Sequence, residues 1–85
     1  MKLVIIRSGE YLVPSLKVKG LAVDNDVLFP IWIEGTKYDY DVVDLPVICL
    51  VVEESSTFKK LLLPSGDLVT LTSNWYRDAL TVEEV

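Results

Sequence analysis

The chain has 85 residues and a hydrophobic share of 51%, which gives room for one domain with a modest core. Eight Lys and Arg against thirteen Asp and Glu give an acidic chain of net charge -5. This argues against direct nucleic-acid binding, which depends on basic side chains that neutralise phosphates. The absence of His and the single Cys exclude a Ser-His-Asp or Cys-His catalytic arrangement, a His metal ligand and an internal disulfide.

The N-terminal apolar run is too short to be the core of a signal peptide or to span a bilayer. It covers Met1 to Ile6 and is followed at once by Arg7, Ser8 and Gly9. We therefore expect a cytoplasmic protein with no membrane partner.

Short strands separated by turns are predicted for the first part of the chain. Lys2 to Arg7 predicts a strand, and Gly20 suggests a bulge or bend in a later one. Asp24-Asn25-Asp26 predicts a turn, because Asx side chains bond to nearby backbone and tolerate unusual φ angles. Val27 to Ile33 is the next strand, and Pro30 in its middle predicts that it is an edge strand or is bulged there.

Two further strands are predicted in the middle of the chain. Lys37 to Asp41 alternates in polarity, which would place Tyr38 and Tyr40 on one face as candidates for contact with a partner or ligand. Val47 to Glu53 is apolar enough to predict the most buried strand, in which Cys49 behaves as a small hydrophobe.

A hairpin is the clearest structural signal in the sequence. Pro64 pre-sets the φ angle of a type I turn, and Gly66 can adopt the left-handed conformation that follows such a turn in three-residue loops. With Pro64-Ser65-Gly66 as the loop, the predicted pairs are Leu63 with Asp67, Leu62 with Leu68, Leu61 with Val69, and Lys60 with Thr70.

Side-chain alternation assigns the two faces of this hairpin. The predicted core face carries Leu61, Leu63, Val69 and Leu71. The other face is mixed and carries Phe58, Lys60, Leu62, Leu68, Thr70 and Thr72. Its apolar members, Phe58, Leu62 and Leu68, are candidates for contact with a partner.

Three segments are apolar on both faces, namely Leu3 to Ile6, Val47 to Val52 and Leu61 to Leu63. A barrel this small has one interior and cannot bury both faces of three strands. Either the more polar segments fold over as covers, or a second copy of the chain does so. We favour self-association, because obligate homodimer interfaces resemble a domain core cut in half.

The C-terminal part predicts a short helical turn and a last element. Ser73 is a suitable N-cap for a helix over Asn74 to Leu80, and Thr81 to Val85 is a final strand or a frayed end. The sequence as a whole therefore predicts a single all-β domain over residues 1–85, with one short helical turn before the last strand.

Trp75, Tyr76 and Arg77 combine the three residue types most enriched at binding hot spots. In one interpretation Trp75 plugs the end of the barrel, which leaves Tyr76 and Arg77 exposed. In the other, Trp and Tyr line a groove between two copies, where Arg77 and Lys60 supply positive charge for the phosphate of a nucleotide-like ligand.

No motif predicts catalysis, a cofactor or a metal. The acidic residues form two loose clusters, Asp24 with Asp26 and Asp39 with Asp41 and Asp44, and Glu53 and Glu54 lie beside them in the sequence. Hard cations take oxygen ligands, so a loose calcium site is one interpretation of these clusters. Their spacing lacks the Gly and the distal Glu of an EF-hand loop, so we interpret them as turn residues on a solvated face. The four Gly residues are isolated and form no phosphate-binding loop.

The C-terminal third resembles a known family. The segments Phe58–Leu71, Ser73–Tyr76 and Leu80–Glu83 are similar to the C-terminal half of small SH3-like barrel proteins of tailed phages. The resemblance implies an SH3-like or related small β-barrel and a viral accessory protein that acts in the host cytoplasm. It carries over no functional residue.

Two functional hypotheses follow. The first is a non-enzymatic, homo-oligomeric interaction module that binds and modulates an unidentified protein partner. The second is a homo-oligomer that binds or sequesters a small, nucleotide-like molecule in a pocket at the subunit interface. The few, scattered basic residues favour the first hypothesis.

Overall fold

Eight β-strands make up the fold of the described residues. The computed structural model describes residues 2–9, 18–31, 41–73 and 79–85. The strands are β1 (Lys2–Ser8), β2 (Gly20–Asp24), β3 (Val27–Ile31), β4 (Asp41–Asp44), β5 (Val47–Glu54), β6 (Phe58–Leu62), β7 (Leu68–Thr72) and β8 (Leu80–Glu84). They form one sheet in the order β4-β2-β3-β7-β6-β5-β1-β8, which curls into a half-barrel. The prediction of an all-β fold is confirmed.

The β6–β7 hairpin has the predicted register. Leu62 lies opposite Leu68 and Leu61 lies opposite Val69. The amide of Leu63 donates to the carbonyl oxygen of Asp67 at 2.9 Å, and the amide of Gly66 donates to the carbonyl oxygen of Leu63 at the same distance. Gly66 has a φ of 94°, a left-handed backbone conformation that glycine adopts without steric cost, as predicted.

A second hairpin joins β2 to β3 and confirms the predicted turn. Asn25 and Asp26 form its two-residue loop with φ angles of 49° and 62°, and two positive φ angles are what a type I′ turn requires. The amide of Thr70 donates to the carbonyl oxygen of Asp26 at 2.7 Å, where the beginning of β3 pairs in parallel with β7. This contact joins the β4-β2-β3 wing to the rest of the sheet.

The structural roles predicted for Pro30 and Gly20 need correction. Strand β3 lies inside the sheet order, not at its edge, but Val27 alone is in register with β7, so the missing N–H of Pro30 costs no bond to that strand. Gly20 begins β2 without a bulge. A Cβ atom there would lie 3.2 Å from the carbonyl oxygen of Val43, so a close backbone approach explains the glycine.

The core lies on the concave face of the half-barrel. All four predicted hairpin core residues are buried, and they pack with inward-facing residues of the other strands; the cluster includes Val4, Ile6, Leu21, Leu28, Val47, Cys49, Val51, Leu61, Leu63, Val69, Leu71 and Leu80. Strand β5 is buried on one face only, since Val47, Cys49 and Val51 are buried, whereas Ile48 and Val52 are exposed. The prediction that it is the most buried strand is therefore wrong for its outer face.

The predicted helical turn falls mostly on residues 74–78, which lie outside the described residues. Its predicted end is wrong, because Leu80 is the first residue of β8 and is buried. The last segment is a strand, paired antiparallel with β1 from Leu80 opposite Ser8 to Glu84 opposite Val4.

Candidate functional site

A row of leucines crosses the convex, outer face of the sheet. Leu3 on β1 lies opposite Leu50 on β5, Leu50 lies opposite Leu62 on β6, and Leu62 lies opposite Leu68 on β7. These four side chains, which we call the leucine row, occupy directly paired positions on four adjacent strands. Directly paired side chains on one face lie close enough to contact each other.

The leucine row is part of a larger apolar surface. Ile5 and Ile48 form the next paired row on β1 and β5, and Val52 continues the surface along β5. The exposed fractions of Leu3, Ile48 and Leu68 are 47%, 49% and 46%, values at which large aliphatic side chains remain about half in water. We call the seven residues the outer apolar face; they are Leu3, Ile5, Ile48, Leu50, Val52, Leu62 and Leu68.

The sequence creates this face through segments that are apolar at consecutive positions. In an antiparallel sheet with one solvated face, outward residues are usually polar. Within Leu3 to Ile6, Val47 to Val52 and Leu61 to Leu63, the residues that alternate with the buried ones are also apolar, so one set forms the core and the other is left outside. The sequence shows three segments that are apolar on both faces, but only the strand order shows that their outward residues lie side by side.

A β-bulge ends the apolar surface and starts a charged rim. The register of β5 with β6 shifts between Val51 and Glu53, which directs Glu54 back towards the concave side opposite Lys59. Glu54 Oε1 lies 2.7 Å from Lys2 Nζ and its Oε2 lies 2.6 Å from Lys59 Nζ. Lys2 Nζ also donates to Glu84 Oε1 at 2.9 Å.

These ion pairs shift the pKa values of Glu54 and Lys2. The hydrogen bond from Lys2, followed by that from Lys59, lowers the pKa of Glu54 to about 2. The same bond to Glu54, with a second to Glu84, raises the pKa of Lys2 above its ordinary value. The rim joins strands β1, β5, β6 and β8; Lys2 and Glu84 come from opposite ends of the sequence, whereas Glu54 and Lys59 are five residues apart. Glu54 is therefore an ion-pair partner, where the sequence suggested only a solvated acid.

Cys49 is a core residue. It faces the concave side, opposite Val4, with 1% of its surface exposed. Burial raises the pKa of its thiol to about 11, so very little reactive thiolate exists at neutral pH. The interpretation of Cys49 as a small buried hydrophobe is confirmed.

The structure places three of the predicted contact residues on one face. Leu62 and Leu68 are neighbours in the leucine row, and Phe58 lies half-buried on the same face at the start of β6, opposite Thr72. Lys60, proposed as a phosphate ligand, has its Nζ 3.9 Å from Glu53 Oε2. The remaining candidates lie outside the described residues; they are Tyr38, Tyr40, Trp75, Tyr76 and Arg77.

The described acidic residues do not gather into a group that could hold a metal ion. Asp24 and Asp26 belong to the β2–β3 turn, and Asp41 and Asp44 lie at the two ends of β4. Within the ranges given above, no helix is long and apolar enough to cross a membrane.

No protein-family model matches the sequence, and comparisons with curated proteins and with solved structures find no significant match.

Proposed function

We propose that this protein is a non-enzymatic interaction module that associates with a second copy of itself through the outer apolar face. The observation that carries the proposal is the leucine row, which runs in register across four adjacent strands with its two end members about half exposed. A contiguous apolar surface on a domain of this size is typical of interaction sites.

Face-to-face packing suits this surface better than joining of sheet edges. Strand β4, at one end of the sheet order, carries Asp41 and Asp44, and β8, at the other end, carries Glu83 and Glu84. Joining these edges in two copies would bring acidic residues together, and charged edges are a common protection against such pairing. The outer apolar face has no such charge at its centre, so two sheets can stack through it.

A two-fold axis is compatible with the pattern of the face. In such a dimer the same patch is used on both copies, so it must complement itself. A straight row of similar side chains is self-complementary, because each leucine of one copy can pack between two leucines of the other copy. The bordering residues carry both signs of charge, with Lys60 beside Glu53 and Arg7 on the same side as Glu83. The border of the interface therefore carries no uniform charge that would make the two copies repel each other.

The phage resemblance extends this proposal to an accessory role in which the homo-oligomer binds and modulates a further protein. The nucleotide-binding alternative depended on Arg77 and on aromatic residues outside the described ranges, and no described contact favours it over the interaction module.

The test is sedimentation equilibrium over a dilution series, on the wild type and on the double variant Ile48→Lys with Leu68→Lys. We expect a wild-type dimer and a monomeric variant, because two ammonium groups in each copy would have to be desolvated in the apolar interface. The matched control is Val42→Lys on β4, where the side chain is similarly exposed, at 51%, but lies off the outer apolar face. It should remain dimeric.

Two results would overturn the proposal. One is a wild-type monomer at every concentration reached. The other is a double variant that is folded by circular dichroism and still dimeric, which would place the interface elsewhere.

A further inference from the structure

A cleft opens between strand β4 and the tip of the β6–β7 hairpin. It has a volume of about 430 Å³, which is within the range of sites that hold a small ligand or a few side chains. Its described lining residues are Val23, Asp41, Val42, Val43, Val47, Leu63, Pro64, Ser65 and Asp67. None of them belongs to the outer apolar face, so the cleft is a separate surface.

The walls of the cleft are mostly apolar and come from both wings of the half-barrel. Val23 and Val43, on β2 and β4, are partly buried and pack against the core cluster. Val47 and Leu63 are buried members of that cluster on the other side, with exposed fractions of 8% and 4%. The cleft is thus the place where the core comes close to the surface between the two wings.

Strand β4 offers an edge at this cleft. It is the first strand in the sheet order, and its register is with Gly20–Val23 of β2 on one side only, as far as the described strands extend. An exposed strand edge presents backbone N–H and C=O groups to which an extended peptide can add as a further strand. In that mode, alternate side chains of the peptide enter adjoining pockets.

The described charged residues of the cleft are acidic, which favours a peptide with basic side chains. Asp41 lies in β4, and Asp67 lies across the cleft at the hairpin tip, where the Ser65 hydroxyl donates to Asp67 Oδ2 at 2.8 Å. The described lining residues include no Lys or Arg, and the chain as a whole carries a charge of -5. A basic side chain would therefore be favoured there, and an acidic one would be repelled.

We propose that this cleft binds an extended peptide segment in which a lysine or arginine and an aliphatic residue lie two positions apart, so that both side chains point to the same face of the added strand. The segment adds to the edge of β4, its aliphatic side chain packs on Val23, Val43 and Leu63, and its basic side chain pairs with Asp41 or Asp67. This inference goes beyond self-association, because it assigns a second surface to a different partner.

The test uses the full chain labelled with ¹⁵N and an acetylated, amidated octapeptide in which serine occupies every second position and lysine and valine take turns at the positions between. We expect saturable shift changes at the amides of Val42, Val43 and Ser65, and slower hydrogen exchange along β4 as its amides gain partners. The same peptide with glutamate in place of lysine should not bind. The double variant Asp41→Asn with Asp67→Asn should weaken the affinity about tenfold, the combined effect of two exposed ion pairs.

The matched control is Asp44→Asn, which removes a charge from the same strand at a residue outside the described lining. Its affinity for the lysine peptide should stay within about twofold of the wild type. Equal binding of the glutamate peptide, an unweakened double variant, or shift changes centred on the leucine row would each overturn the proposal. Equally strong binding of n-butylamine at the same amides would overturn the strand-addition step. None of these results depends on the oligomeric state, so they are separable from the test of self-association.

Discussion

Leu61 and Leu62 are neighbours in β6, but their side chains lie on opposite faces of the sheet. Leu61 is fully buried opposite Val69, whereas Leu62 is part of the leucine row opposite Leu68. Leu61→Ala should therefore lower the free energy of unfolding by about 2–5 kcal/mol, because it opens a cavity in the core. Leu62→Ala should lower it by less than about 1 kcal/mol in the monomer, because the lost side chain is already partly in water.

The measurement is urea unfolding of both variants at a concentration where the wild type is monomeric. At higher concentration, Leu62→Ala should also weaken association, whereas Leu61→Ala acts through the fold. Equal losses of unfolding free energy in dilute solution would contradict the assignment of the two faces.

Cys49 should act as a reporter of unfolding. Burial and a pKa of about 11 both oppose thiolate formation, so we expect no labelling by iodoacetamide at pH 8 in the folded protein. Labelling should begin in urea at the same midpoint as the loss of strand signal in circular dichroism. Fast labelling of the folded chain, with a rate near that of a free cysteine peptide, would show that β5 opens locally.

The sequence predicts local features of this fold better than long-range ones. The register of the hairpin and the turn at Asp24–Asp26 follow from the conformations of Pro, Gly and Asx residues, which are set within a few positions. The parallel contact of Val27 with Thr70 depends on how two hairpins meet, and no local preference specifies it.

In the candidate sites, too, the local features follow from the sequence and the long-range ones do not. Leu62 and Leu68 could be assigned from the hairpin alone, because their pairing depends on a local turn. Leu3 and Leu50 joined them only when the order of β1, β5 and β6 was known. The cleft at β4 combines residues of separate strands, and its apolar walls have no sequence pattern that differs from that of the core.

Gly66 should be required for its backbone conformation alone. Its φ is 94°, and a Cβ atom placed there would meet nothing within 4 Å. Gly66→Ala should therefore lower the free energy of unfolding by about 1 kcal/mol through backbone strain, without a steric clash. Ser65→Ala in the same loop loses one exposed hydrogen bond to Asp67 and should change it by no more than about 0.5 kcal/mol.

A chemically assembled chain with D-alanine at position 66 separates the two causes. A D-residue adopts positive φ readily, so this chain should regain the stability that L-alanine loses. Thermal unfolding of the three chains provides the comparison. If D-alanine destabilised the hairpin as much as L-alanine, the loss would not come from the sign of φ.

Glu54 should make the stability depend on pH in the acidic range. Its pKa in the folded chain is about 2, below its ordinary value of 4.5, so the folded state favours the ionised carboxylate. The resulting stabilisation is present above about pH 4.5 and is lost as the pH falls towards 2. Glu54→Gln should lower the melting temperature at pH 7, and the difference from the wild type should shrink as the pH approaches 2.

The effect should also decrease with added salt, because the side chains of Lys2 and Glu54 are 40% and 38% exposed and their attraction is screened. Glu53→Gln is the matched control, since the nearest described cation, Lys60, lies 3.9 Å from Glu53. Melting curves of the three proteins at pH 2, 3, 4.5 and 7 should show convergence for Glu54→Gln, with a smaller change for Glu53→Gln. A difference between wild type and Glu54→Gln that stays constant from pH 7 to pH 2 would mean that the ion pairs with Lys2 and Lys59 do not hold in solution.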